Sequence, residues 1–295
     1  MADGPTIPSA TDLRLLAKVA VTRARLRLCS LAGRPPVVTY ATYRTASSST
    51  HWAIRRALGA RAIKAHALFP GRLGMRESQD LHAVDGAAVP VSRHAGDWAV
   101  SREIVLPRRT ARFVILVRDP VAVAASHYSV FSSGRSWLPA DLASFDWPAD
   151  GAADRATLAR LAAGMFDGAF HWRLMDRWFE EDVQPALGWD ALSQPFDREA
   201  GHAQHRHGPW DILLMRADLP DGAKSDVLSR FLGVPGIEVR RENRSEDLGR
   251  SGLTAAVRHA IRQRPEAVDA LLGGRMARHF WTDAQREAMR AKWLG

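Results

Sequence analysis

Cysteine is almost missing from this chain of 295 residues, with Cys29 the only one. An intramolecular disulfide and a thiolate metal cluster are therefore excluded, and this usage fits a reducing cytoplasm. Long apolar runs are also lacking. No stretch approaches the roughly 20 residues that a membrane-spanning helix needs. The N-terminal segment, with Asp3 early, has no apolar core followed by a cleavage site, so no signal peptide is expected. No Gly-Lys pair occurs anywhere. The nucleoside-triphosphate loop ending in Gly-Lys-Ser/Thr is thus absent, and an ordinary ATPase or kinase is disfavoured. Gly-x-Ser-x-Gly, His-Glu-x-x-His and Gly-x-Gly-x-x-Gly are missing as well, and there is no internal repeat or low-complexity block.

What the chain does have is positive charge, +9 at pH 7, carried almost wholly by arginine against an alanine-rich background. That sign predicts an anionic partner such as a nucleotide, an acidic glycan or lipid head groups. Nucleic acid is not expected, because no basic stripe is interleaved with aromatic residues. The apolar share of 46% supports a sizeable core, and the length predicts one α/β domain with elaborations. Residues 1–36 form an N-terminal lead-in. Its segment "DLRLLAKVAVTRARLRLCSLAG" is a basic amphipathic helix, which either packs on the domain or lies peripherally on the inner face of a membrane. Residues 37–250 form the α/β domain, and 251–295 its helical C-terminal extension.

"RPPVVTY" enters a strand at Val37, followed by a helix over 47–58 with Trp52, Ile54 and Leu58 available for one face. "ARAIKAHAL" is a short second strand, and a Gly- and His-containing loop runs to about His94. "GDWAVSREIVL" is a helix with Asp97 near its cap. In "ARFVILVRDP", residues 113–117 are uninterrupted apolar, as in a strand buried on both faces. Asp119 and Pro120 then open a helix. A helical region over about 154–183 carries Phe166, Phe170, Trp172, Leu174, Trp178 and Phe179, a stripe read as core. "DILLMRADL" is a buried strand, "GAKSDVLSRFLG" a helix ending at Gly233, "IEVRREN" a short strand, and the C-terminus is helical with a break near Pro265. Apolar strands separated by helices predict a central parallel sheet with helices on both faces. Ligands bind such sheets beyond the carboxyl ends of the strands. The junctions at 43–50 and 118–126 should therefore share one edge.

A strand-to-helix loop offers unpaired backbone N–H groups and the positive end of a helix dipole. "YRTASSST" adds an arginine and a run of hydroxyls, which suits a phosphate or sulfate group; a polar N-capping turn explains the same residues. Its first seven residues resemble the 5′-phosphosulfate loop of the sulfotransferases. That resemblance implies a P-loop-like site in which Arg44 grips the 5′-phosphate and sulfuryl oxygens while Thr45, Ser47, Ser48 and Ser49 supply donors. Ala46 stands where the family usually has glycine. "FVILVRDPVAVAASHYSVF" is similar to the family's 3′-phosphate motif, in which a buried strand ends in Arg-Asp/Asn-Pro and a serine follows eight residues after the arginine. Arg118 and Ser126 keep that spacing, and the planar fork of an arginine pairs two phosphate oxygens at once.

"AIKAHAL" resembles the Lys-x-His segment of cytosolic-type members of the family. The resemblance implies sulfuryl transfer from 3′-phosphoadenosine-5′-phosphosulfate (PAPS), as co-substrate and without a metal, in line to a hydroxyl of a glycan or small metabolite. His66 is then the general base, and Lys64 or Arg44 the charge beside the leaving oxygen. Many carbohydrate sulfotransferases use a carboxylate instead, and Glu77, Asp80 or Asp85 could serve. Trp52 either packs in the core or stacks on adenine. Arg216 and Ala217 replace an aromatic and an acidic residue of relatives, while Arg240, Arg241, Asn243 and Arg244 are candidates for a closing loop over the 3′-phosphate. "QPFDREAGHAQHRHGPWDILLMRADL" resembles bacterial sulfotransferase-like proteins of capsular polysaccharide synthesis. The resemblance spans about 37–249.

Two alternatives stay open: a nucleotide-dependent kinase with a degenerate phosphate loop, and a non-catalytic polyanion-binding member of the fold. His202, His205 and His207 in "HAQHRH" raise a zinc or nickel site. With no carboxylate at ligand spacing, that segment reads as a solvated loop.

Overall fold

The computed structural model describes residues 10–69, 95–131, 140–143, 145–167, 172–240 and 251–295. Helix α1 (Ala10–Leu31) leads through Pro35 and Pro36 into β1 (Val37–Tyr40), and α2 (Ser47–Leu58) carries the chain to β2 (Ala62–Ala65). Helix α3 (Ala95–Val100), prolonged by a π-turn over Ser101–Val105, precedes β3 (Ala111–Val117), and α4 (Pro120–Phe131) leaves it. Short turns apart, α5 (Arg155–Phe166) and α6 (Leu174–Trp178) come before β4 (His202–His207) and β5 (Trp210–Arg216). The chain finishes with α7 (Asp221–Leu232), α8 (Ser251–Arg262), α9 (Pro265–Leu272), α10 (Arg275–Phe280) and α11 (Asp283–Leu294).

The five strands are ordered β2-β1-β3-β5-β4. β2, β1, β3 and β5 are parallel, as expected, but β4 is antiparallel to β5, so the sheet is mixed. Gly208 and Pro209 are the only residues between β4 and β5, and so short a link can join only antiparallel neighbours. "HAQHRH" is thus an edge strand and not a loop. The strand expected in "IEVRREN" does not form over 237–240. Ile237 and Val239 are buried, but their N–H groups donate to the hydroxyls of Ser229 (3.2 Å) and Ser225 (2.9 Å) on α7. Their backbone needs are met by side chains, and no sheet partner is required.

Strand alternation divides the core between the two faces. Tyr40, Phe113, Ile115, Ile212 and Leu214 pack on one side with Leu26 of α1, Ile104 and the aromatic residues Trp178 and Phe179. Val37, Val114, Leu116, Leu213 and Met215 pack on the other with α2 and α7. A third cluster joins α4 to α5 and the C-terminal helices through Tyr128, Leu161, Val257 and Trp293. The stripe read as core is buried at Phe166, Trp178 and Phe179; Phe170 lies outside the described residues.

The N-terminal helix packs on α3 and its π-turn. Glu103, buried in that turn, accepts hydrogen bonds from Arg23 (2.7 Å), Arg27 (2.6 Å) and Arg109 (2.9 Å). Burial alone would raise the Glu103 carboxyl, but these three guanidinium groups outweigh it and hold its pKa at about 2. Among the described residues no helix is long and apolar enough to cross a membrane.

The chain runs from β1 outward to β2, then returns across β1 to β3. The direction of winding therefore reverses between β1 and β3. In open α/β sheets the crevice beyond the strand ends at such a reversal is the usual ligand site.

Candidate functional site

Two loops leave the sheet at that reversal. The first turns tightly. Arg44 (φ 67) and Ala46 (φ 57, ψ 20) both adopt the left-handed conformation, with Thr45 between them. For residues with a Cβ this costs roughly 1–2 kcal/mol each. The turn is held from within by the Thr45 hydroxyl, which donates to the Thr42 carbonyl at 2.8 Å, and by Arg118, whose Nη1 donates to the Arg44 carbonyl at 2.6 Å. Arg118, the first residue after β3, thus braces the loop after β1.

Helix α2 starts at Ser47 with Ala46 as its cap residue. No side chain caps it, and its first turn holds no acidic residue. The contrast with α4 is direct. There Asp119 accepts from the N–H groups of Val121 (2.9 Å) and Ala122 (3.2 Å), while its second oxygen accepts from the Trp293 indole at 2.8 Å. Asp119 therefore serves as a helix cap. The positive end of the α2 dipole has no such acid, which leaves it suited to an anion.

The second loop meets the first. Arg44 Nε donates to Ser126 Oγ at 2.9 Å, so the residues expected to hold opposite ends of one ligand are in contact. Lys64 on β2 donates to Ser48 Oγ at 3.0 Å. Burial pushes the Lys64 ammonium below its ordinary value; Asp97 opposes that shift and Arg44 adds to it. Ser48 is half-buried and Ala46 is exposed, whereas Thr45, Ser47 and Ser49 are buried. The Thr45 hydroxyl is occupied within the turn.

His66 follows β2 and is fixed at several points. Its Nδ1 lies 2.7 Å from the Ala41 carbonyl oxygen. A carbonyl only accepts, so Nδ1 carries the proton and the lone pair of the neutral ring is on Nε2. The backbone N–H groups of His66 and Ala67 donate to the two oxygens of Asp97, at 2.8 and 3.1 Å. Asp97 therefore holds the exit of β2. Its position depends on Gly96, where a Cβ would come within 2.4 Å of the Lys64 carbonyl oxygen; only glycine lets α3 descend this far. The His66 ring stacks on Tyr43, with centroids 4.3 Å apart, and Tyr43 also stacks on His127 at 6.1 Å.

Further anchoring comes from a residue that sequence reasoning did not single out. Asp182, fully buried, accepts from the Tyr40 hydroxyl at the end of β1 and from the Leu68 N–H at 2.9 Å. It ties the loop after β2 to the strand carrying the Arg44 loop. Nothing in the local sequence "FEEDV" separates it from its acidic neighbours. Tyr43 had a faint signal, as an aromatic residue directly before the arginine of a polar loop.

Other expected residues are placed elsewhere. Trp52 is 43% exposed, so the core-packing alternative is ruled out. Arg216 is buried and bound to the Arg198 carbonyl (2.9 Å), Gln285 (2.8 Å) and Asp218 (3.1 Å), which makes it part of the scaffold. Arg240 is exposed and pairs with Glu238 at 2.6 Å. Glu77, Asp80, Asp85, Arg241, Asn243 and Arg244 lie outside the described residues. His202, His205 and His207 share β4, where Trp189 lies against His205 and His207 with centroids 5.5 and 6.4 Å away. Among the described residues, no three His, Cys, Asp or Glu side chains are grouped to hold a metal. Compared with known protein families, curated proteins and solved structures, the chain matches none.

Proposed function

We propose that this edge of the sheet binds PAPS and that the protein is a sulfotransferase, acting on a hydroxyl of a glycan or small metabolite. The observation that carries the reading is the contact between Arg44 and Ser126, braced by Arg118, beside a helix N-terminus with no side-chain cap. Two phosphate-type groups on one ligand need two cationic points with hydroxyls between them, at the strand ends, and these residues supply them. Arg44, Ser48 and the first N–H groups of α2 would hold the phosphosulfate end. Arg118 and Ser126 would hold the 3′-phosphate.

PAPS, when bound, supplies an activated sulfuryl group with a phosphate as its leaving group. The rest is work for the chain. His66, with its lone pair on Nε2, takes the proton from the acceptor hydroxyl. The Ala41 carbonyl and the Tyr43 ring keep the imidazole in the tautomer and orientation that this requires. Lys64, next to Ser48, supplies positive charge where the leaving oxygen develops negative charge.

The test is a thermal-shift comparison of 3′-phosphoadenosine-5′-phosphate, ATP and inorganic sulfate, followed by transfer of labelled sulfate from PAPS. Preferential stabilisation by the 3′-phosphorylated nucleotide is expected, since a ligand bound to the folded state alone raises the midpoint. Stabilisation by ATP with no response to that nucleotide would overturn the reading.

A further inference from the structure

Positive side chains from three elements converge at the outer edge of β2, the edge strand beside the site. Lys64 comes from β2 itself, Arg25 from α1 and Arg55 from α2, and all three act on His51 of α2, which burial and then their charge keep neutral at pH 7. Ser48, Trp52 and Arg55 follow one another at helical spacing, so they form a single stripe along α2. Trp52 is exposed. Its ring lies 5.6 Å from the Arg55 guanidinium and 5.6 Å from the His51 ring.

The pairing of these charges is what sets the cluster apart. Arg23 and Arg27, which flank Arg25 on α1, both bind Glu103. Arg25 does not: its Nε is buried with no hydrogen-bond partner. His51 is buried too, 8% exposed, and its Nδ1 has no partner either. Among the described residues no carboxylate pairs with Arg25 or Arg55. The fold therefore brings Arg25 and Arg55 within electrostatic reach of each other without a carboxylate partner, and an unpaired buried donor such as the Arg25 Nε costs about 1–3 kcal/mol. The strain shows in the titration of the groups. Burial, then Arg55, lowers Arg25, while burial, then Lys64, Arg55 and Arg25, lowers His51 to about 4.

We propose that this edge is an acceptor subsite for an acidic saccharide, in which one sugar ring stacks on Trp52 and its carboxylate or sulfate group pairs with Arg25 and Arg55. The proposal rests on the sulfotransferase reading for its connection to the reacting centre. From Ser48 to Arg55 the stripe runs about 10 Å along α2, the length of a disaccharide. A sugar held at Trp52 thus presents its neighbour to Lys64 and His66. A single exposed ring flanked by arginines suits a saccharide better than nucleic acid, which needs successive rings on which its bases can stack.

The experiment is calorimetric titration of the full chain with four probes: a galacturonate hexamer, a heparin-derived hexasaccharide, neutral maltohexaose and a ten-residue oligothymidylate. At least one acidic hexasaccharide should bind, and the better of the two identifies carboxylate or sulfate as the group recognised. Trp52→Ala, Arg25→Gln and Arg55→Gln, at surface or half-buried positions, should each weaken it by about tenfold. Binding of 3′-phosphoadenosine-5′-phosphate should stay unchanged in Arg25→Gln and Arg55→Gln. Equal binding of maltohexaose, tighter binding of the oligothymidylate, or full retention of acidic-saccharide affinity in Arg25→Gln and Arg55→Gln would each overturn the proposal. Loss of the nucleotide response alone, with acidic-saccharide binding intact, would count against the sulfotransferase reading and leave the subsite standing.

Discussion

Arg44 Nε donates to Ser126 Oγ at 2.9 Å, a contact that joins the loop after β1 to the helix after β3 across 82 residues of sequence. If both hold the same nucleotide while touching each other, their contributions to binding cannot be independent. Arg44→Ala and Ser126→Ala are each expected to weaken 3′-phosphoadenosine-5′-phosphate binding by about tenfold or more, the larger loss falling on Arg44 because its bond to a ligand is charge-assisted. The double variant should lose less than the sum, with a coupling of about 1 kcal/mol. Additive losses in a calorimetric cycle would mean that the two residues serve separate sites.

The base is expected to act on turnover and not on donor affinity. His66→Ala should lower kcat by about 10²–10⁴-fold, with the nucleotide dissociation constant unchanged. Gly96→Ala provides a contrasting case. Its new Cβ would meet the Lys64 carbonyl oxygen at 2.4 Å, so α3 must lift and Asp97 withdraw from the N–H groups of His66 and Ala67. That variant should lose turnover and thermal stability together. A Gly96→Ala protein with normal turnover would show that Asp97 does not position the base.

The left-handed turn also gives a prediction of opposite sign. Ala46 holds φ 57 and ψ 20 with its side chain exposed, a conformation glycine adopts without penalty. Removing the roughly 1–2 kcal/mol left-handed cost outweighs the about 0.4–1 kcal/mol that glycine adds through a freer unfolded chain. Ala46→Gly should therefore stabilise the protein by roughly 0.5–1 kcal/mol. Urea unfolding measures this, and a destabilised variant would show that the Ala46 methyl makes contacts worth more than its strain.

The legible parts of this molecule are those in which local pattern and tertiary role coincide. β3 and β5 announce themselves by the apolar runs 113–117 and 212–215, because both faces of their sheet are covered. The spacing of Arg118 to Ser126 is readable because a strand end and two helical turns fix it whatever surrounds them. β4 is different. "HAQHRH" lies at an edge, polar on both faces, and joins the sheet through backbone pairing with β5, to which hydropathy is blind; its one local sign is the Gly208–Pro209 turn. "IEVRREN" errs the other way, with strand-like residues whose N–H groups are taken by Ser225 and Ser229. Asp97 and Asp182 were illegible because their partners arrive from other segments, 31 and 142 residues away. A carboxylate that meets its donors only in the fold leaves no periodic trace.

Acid should destabilise the protein in two separate windows. Burial first, and nearby cations after it, hold His51 and His279 at about 4, below the ordinary 6.5. Between those values the unfolded chain takes up protons that the folded chain refuses, so stability falls as pH drops from about 6.5 to 4, by at most about 1.4 kcal/mol per pH unit for each histidine. Glu103 acts lower. Its folded value of about 2 lies beneath an ordinary 4.5, so the stability it contributes is complete above 4.5 and disappears as pH falls to 2. The windows can be tested apart. His279 packs between Phe196 and Phe280, with ring centroids 6.0 and 4.6 Å away, and its Nε2 has no hydrogen-bond partner. His279→Phe therefore removes a proton site without stranding a polar atom. Urea midpoints at pH 7 and pH 5 should lie closer together in this variant than in the parent, whereas Glu103→Gln should lower the midpoint at both pH values and change their spacing little. If His279→Phe leaves the spacing unchanged, His279 titrates normally in the folded protein and the upper window belongs to the other buried histidines.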